Sequence, residues 1–165
     1  MAAAFLGPGR VAMIGRTCRD PYGLWRPPLE ALRRAGVDTR RVAVVRGNRF
    51  LLPAAALIAV DTRGRNQICV LPGVNERFSP ADAAAAAPLL DEIARNRGML
   101  VLTLEMPAAT AEAFLAAAAR RDLRTVLDPG GIVPSTDAAA VFAHPPEVMK
   151  PNEHEALLLT GVRVA

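Results

Sequence analysis

A parallel α/β fold is predicted by three observations. The apolar residues switch repeatedly between strand period and helical period. From Asn96 onward this switching becomes a regular alternation of strand and helix, the pattern of a parallel sheet with helices on both faces. The strands of that alternation are followed by polar groups, Glu105, Asp128 and Asn152, on the edge where open α/β sheets bind their ligands.

Taken in order, Val11 to Gly15 is a short apolar run suited to a buried strand. Pro28 to Ala35 predicts a helix with proline near its start and Gly36 as terminator. Val42 to Val45, Ala55 to Val60 and Gln67 to Leu71 predict strands, and the last two, joined by the polar, glycine-containing loop 61–66, predict a hairpin. Ser79 and Pro80 open a helix through Ala94, which Pro88 should bend or split because it lacks a backbone donor. Met99 to Leu104 predicts a strand ending at Glu105, Ala108 to Arg121 an alanine-rich helix, and Thr125 to Leu127 a strand ending at Asp128. Val148 and Met149 then precede Pro151 and a last helix.

That last junction, Val148-Met149-Lys150-Pro151-Asn152-Glu153-His154-Glu155-Ala156, is the most informative stretch. A buried strand ends, a proline stops it, and the first helical turn holds one amide and two carboxylates. Asn152 is placed to cap the helix and Glu155 to complete a capping box. Capping needs only one such group, and a strand edge opening onto a helix N-terminus is also where α/β proteins bind phosphates and metal-bound anions. Both readings stand on these residues alone. Glu105 likewise reads either as a loop contact or as a carboxylate able to accept from two hydroxyls at once.

Composition excludes several classes. The 52% hydrophobic content is inflated by the alanine runs 83–87 and 116–119, and no stretch approaches the ~20 apolar residues of a membrane span. Met1 to Gly7 lacks the basic start of a secretory signal, so a cytoplasmic location and no membrane partner are expected. The net charge of +4 raises nucleic acid as a partner, but Lys150 is the only lysine and the arginine pairs 33–34, 40–41 and 120–121 are expected at helix ends or in loops, not in a stripe. With one Trp and one Tyr there is little to stack on bases, so no nucleic-acid partner is expected. A small anion such as a nucleoside triphosphate suits the charge better. Cys18, Cys69, His144 and His154 show no zinc spacing. At 165 residues a single domain spanning 1–165 is expected.

Four further groups of residues fall into one order with this junction. They are Gly9 to Gly15 with Asp20-Pro21-Tyr22-Gly23; Leu32 to Thr39; Ala56 to Asp61 with Asn66-Gln67-Ile68 and Pro72-Gly73-Val74-Asn75; and Leu102 to Pro107 with Asp128-Pro129. Together with Asn152-x-x-Glu155, the ordered set resembles ribokinase and the wider phosphofructokinase-B group of sugar kinases. The resemblance implies a ribokinase-like parallel sheet flanked by helices, a small β-hairpin lid, and phosphorylation of a sugar hydroxyl by ATP with Mg2+. It implies that Glu105 contacts the sugar, that Asn152 lies in the ATP region and that Glu155 helps hold the magnesium shell, often through water. A homodimer is compatible with it.

The family carries a glycine-rich sugar-binding segment upstream and a Gly-Ala-Gly-Asp motif, with the catalytic base, downstream. Met1 to Gly7 looks like the tail of the helix after the first, and the second does not occur in the sequence. The expectation is a single partial, truncated kinase domain, inactive by itself; the alternative is a non-catalytic fragment or pseudoenzyme with a ligand-binding or structural role. Cys18-Arg19-Asp20 stands where the family usually has Gly-Asp-Asp, and Leu52-Pro53-Ala54 where it has Pro-Thr-Gly.

Overall fold

A computed structural model describes residues 2–163. The chain forms two compact units, Met1–Glu76 and Arg77–Ala165.

The first unit opens with a short helix α1 (Ala2–Leu6) and a parallel strand pair, β1 (Ala12–Arg19) and β2 (Asp38–Arg46), joined through helix α2 (Arg26–Arg34). Pro27 and Pro28 fall in the first turn of α2, where a missing N–H costs nothing. Leu29 is its buried anchor, and α2 packs on β2. Both strands run longer than their apolar runs predict. Pairing explains the difference: the register Ile14↔Arg41 through Arg19↔Arg46 draws polar residues of each strand into the ladder. Arg40 and Arg41 therefore lie inside β2, not in a loop, and Arg40 is held by Asp38 at 2.7 Å.

Strands β3 (Ala55–Val60) and β4 (Asn66–Leu71) pair antiparallel from Ala55↔Leu71 to Val60↔Asn66, the predicted hairpin. Its loop is tied by Asp61, whose carboxylate accepts from the backbone of Arg63 and Arg65 and from the Arg65 guanidinium. Every residue of both strands is exposed. A 3-10 turn over Gly73–Arg77 follows.

The second unit holds the regular alternation. Ser79 starts helix α3 (Pro80–Ala85), its N–H and hydroxyl both donating to Asp82. Pro88 divides this segment from α4 (Ala87–Arg95), as its missing donor predicts. Strands β5 (Met99–Thr103), β6 (Arg124–Asp128) and β7 (Val148–Met149) form one parallel sheet in that order. Helices α5 (Ala108–Ala119) and α6 (Ala138–Phe142) lie between successive strands, and α7 (Glu153–Thr160) follows β7. The helix α6 escaped the sequence reading because it is a single short turn among proline and serine; Asp137 caps it by accepting from Ala140 N–H.

Helix α5 is the centre of this unit. Its alanines let α3 and α6 approach closely, and Phe114 and Leu115 are its largest fully buried side chains. Phe78 packs on Phe114 with ring centroids 5.7 Å apart, and the buried Thr110 hydroxyl donates to the Phe78 carbonyl at 2.8 Å. Across the sheet, Leu102, Leu127 and Met149 share one row facing the core, and Val101, Val126 and Val148 the next row on the opposite face. Among the described residues no helix is long and apolar enough to cross a membrane.

Candidate active site

The carboxyl edge of the β5–β6–β7 sheet carries the candidate residues. Glu105 stands two residues beyond β5, Asp128 ends β6, and Lys150 follows β7 directly. Strand pairing sets their spacing: β5 and β7 flank β6, so the outer strands lie roughly 10 Å apart. The Lys150 backbone N–H donates to Leu127, which carries the β7 ladder past its last residue and brings the Lys150 ammonium to 3.6 Å from Asp128 Oδ2. The other oxygen of Asp128 accepts from Gly130 N–H at 3.1 Å and shapes the following turn.

That turn reaches Glu105. Gly131 has φ +97°, and a Cβ there would lie 2.8 Å from Cα, Cγ and N of Glu105. Only glycine permits both the backbone angle and the approach. The loop after β6 thus presses on the residue after β5, a contact between segments 26 positions apart that local pattern does not reveal.

Asn152 and Glu155 form the capping box at the start of α7. Asn152 Oδ1 accepts from Glu155 N–H and Glu155 Oε2 accepts from Asn152 N–H, both at 2.9 Å. Gly161, left-handed at φ 71°, closes the other end. The capping reading is therefore realised, and only one of the Glu155 oxygens is used by it. Glu153 and His154 are exposed in the same turn.

Among the described residues no group of three or more His, Cys, Asp or Glu side chains is placed to hold a metal. Magnesium does not require one, since it keeps several waters and takes one or two carboxylates with substrate phosphates. Glu155, half-buried with Oε1 unused, fits a single contact to such an ion or its water.

The geometry is that of an α/β protein with its candidate polar groups on a parallel sheet edge. Comparison with known proteins makes the class specific: the chain belongs to the pfkB family of carbohydrate kinases, whose sequence model matches residues 1–164. A bifunctional ribokinase/ribose-5-phosphate isomerase A of Fructilactobacillus sanfranciscensis is 32% identical over 110 residues, covering 66% of this chain and 19% of that protein. Ribokinase from Giardia lamblia shares the fold with a TM-score of 0.73 at 22% identity, over 94% of this chain and 45% of that one. Arabidopsis thaliana ribokinase, solved with ribose and ATP, gives 0.68 at 23% identity over 97% and 48%. The chain thus spans about half the length of the solved kinases it matches.

Sequence reasoning missed Lys150 and Gly131 as members of this edge. Lys150 stood out only as the sole lysine. The signal available for it was its place one residue past a strand whose neighbour ends in an aspartate.

Proposed function

We propose that this chain contributes one edge of the active site of an ATP-dependent sugar kinase, as part of a single kinase domain to which both units belong. The observation that carries it is the gathering of Glu105, Asp128, Lys150 and Asn152 at the carboxyl edge of one parallel sheet in a pfkB-family chain. The family match running across both units supports the single domain.

In this reading Glu105, exposed and braced by Gly131, accepts hydrogen bonds from sugar hydroxyls and fixes which of them faces the nucleotide. Asn152 borders the ATP phosphates at the start of α7, where helix-terminal N–H groups favour anions. Glu155 is the residue that would hold magnesium through its unused oxygen; the ion, when bound, neutralises phosphate charge during transfer. Lys150 neutralises Asp128 in the resting site and can turn to an incoming phosphate. No Gly-Ala-Gly-Asp run occurs in the sequence, so the 165-residue chain alone is expected to give no sugar-dependent ATP turnover. A homodimer, joined through the exposed β3–β4 hairpin, is the assembly we propose.

The test is made in a chain completed with the two flanking segments of a relative. Phosphorylation is expected to appear, and Glu105→Ala is expected to weaken sugar binding while leaving ATP affinity close to the parent value. Equal sugar affinity in parent and variant would show that Glu105 serves only its loop, the outcome a purely structural role predicts.

A further inference from the structure

We infer that the first unit carries a phosphate-binding cleft at the carboxyl ends of β1 and β2, built on Arg19 and Arg46 and suited to inorganic phosphate or a phosphate monoester. The two arginines are direct register partners on neighbouring parallel strands. Partners in a parallel pair project to the same side, and both line one cleft of about 510 Å³. Like charges set side by side across a ladder repel. The chain nevertheless fixes them there. Gly47 N–H donates to the Arg19 carbonyl at 2.9 Å, and a Cβ on Gly47 would lie 2.7 Å from that same oxygen, so the backbone after β2 is drawn tightly against the end of β1.

Neither guanidinium is neutralised from within. Arg40, Arg65, Arg121 and Arg124 each have a carboxylate, whereas among the described residues Arg19 and Arg46 have none. Asp20, which lines the same cleft, is turned to the backbone: its carboxylate accepts from the N–H groups of Tyr22, Leu24 and Trp25 at 2.8, 3.3 and 3.2 Å. Arg19 also borders a second cleft of about 430 Å³, where Arg26 and Arg33 are opposed by Glu30. There Arg19 and Arg26 stack on Trp25 at 5.6 and 5.5 Å from the ring centre. Stacking pre-orders a guanidinium and leaves its N–H edge free to fork onto an oxyanion. Four arginines thus face two carboxylates around Arg19. A tetrahedral dianion between Arg19 and Arg46 would remove the repulsion and satisfy both forks.

Trp25 is the only tryptophan in the chain, so its emission reads the site directly. The full chain is titrated with sodium phosphate and, separately, with glycerol 3-phosphate, each against sodium chloride at equal ionic strength. A saturable change in Trp25 emission is expected with both if the free anion is recognised, and a tighter one with the ester if the natural ligand is organic. Arg19→Gln and Arg46→Gln are each expected to weaken binding at least about tenfold, and Arg120→Gln, in the other unit, to leave it unchanged. Arg19→Asp places opposite charges in register, so it is expected to keep or raise the melting temperature while abolishing the phosphate response. The inference is overturned if phosphate matches chloride up to about 10 mM, far above the range of a specific site, or if Arg19→Asp responds like the parent.

Discussion

A reciprocal pair of hydrogen bonds between Asn152 and Glu155 separates two roles that one residue type cannot distinguish. Asn152→Ala removes the acceptor for Glu155 N–H and is expected to cost about 1 kcal/mol in a denaturant titration, with or without nucleotide. Glu155→Gln keeps an oxygen for Asn152 N–H but loses the charge. Melting is then expected to stay nearly constant, while the completed kinase needs more magnesium to reach the same rate. A drop in stability with unchanged magnesium demand would reduce the pair to a helix cap. Gly131→Ala acts on the neighbouring strand end: the left-handed backbone and the contact with Glu105 together predict a loss of about 1–3 kcal/mol, and sugar affinity in the completed chain should fall more than ATP affinity.

The elements differ in how far local chemistry determines them. Pro88 lacks a donor wherever it sits, so the division between α3 and α4 is readable in advance. So is the hairpin, whose two apolar runs flank a polar glycine loop, and the Asn152 cap. What local pattern does not contain is the company each element keeps. The extension of β2 back to Asp38 comes from its pairing with β1, the Lys150–Asp128 pair from β7 lying beside β6, and the Gly131 approach to Glu105 from the loop after β6 folding over the end of β5. The same holds for Thr110, an unremarked residue in an alanine-rich helix whose hydroxyl links α5 to the start of α3. Thr110→Val preserves shape and removes that donor, leaving a buried carbonyl without it. A loss of about 1–3 kcal/mol is expected from equilibrium unfolding; a neutral result would mean that water reaches the Phe78 carbonyl.

At the scale of the molecule, acid should loosen the first unit. Asp38 and Asp61 are held below the ordinary aspartate value of 3.8, chiefly by the Arg40 and Arg65 guanidiniums. Burial opposes ionisation of Asp20, but the backbone N–H groups of Leu24, Tyr22 and Trp25 outweigh it and lower this carboxyl too. A depressed folded value means stability that is complete above the unfolded value and lost as pH falls through the folded ones. All three carboxylates lie in the first unit, so amide exchange in that unit should accelerate as pH falls below about 3.8. If the exposed hairpin, with Ile58 and Ile68 paired across it, joins the proposed homodimer, sedimentation should report a species near twice 17.5 kDa, reduced to monomer by Ile58→Lys. Finally, a chain with a single lysine carries one side-chain amine, and that amine stands beside Asp128 on the candidate edge. Apart from the terminal α-amine, acylating reagents therefore have one amine to modify. Labelling at Lys150, resolved by peptide mass, reports occupancy of the edge without any turnover, and protection by ATP but not by sugar would map the nucleotide to the β6–β7 side.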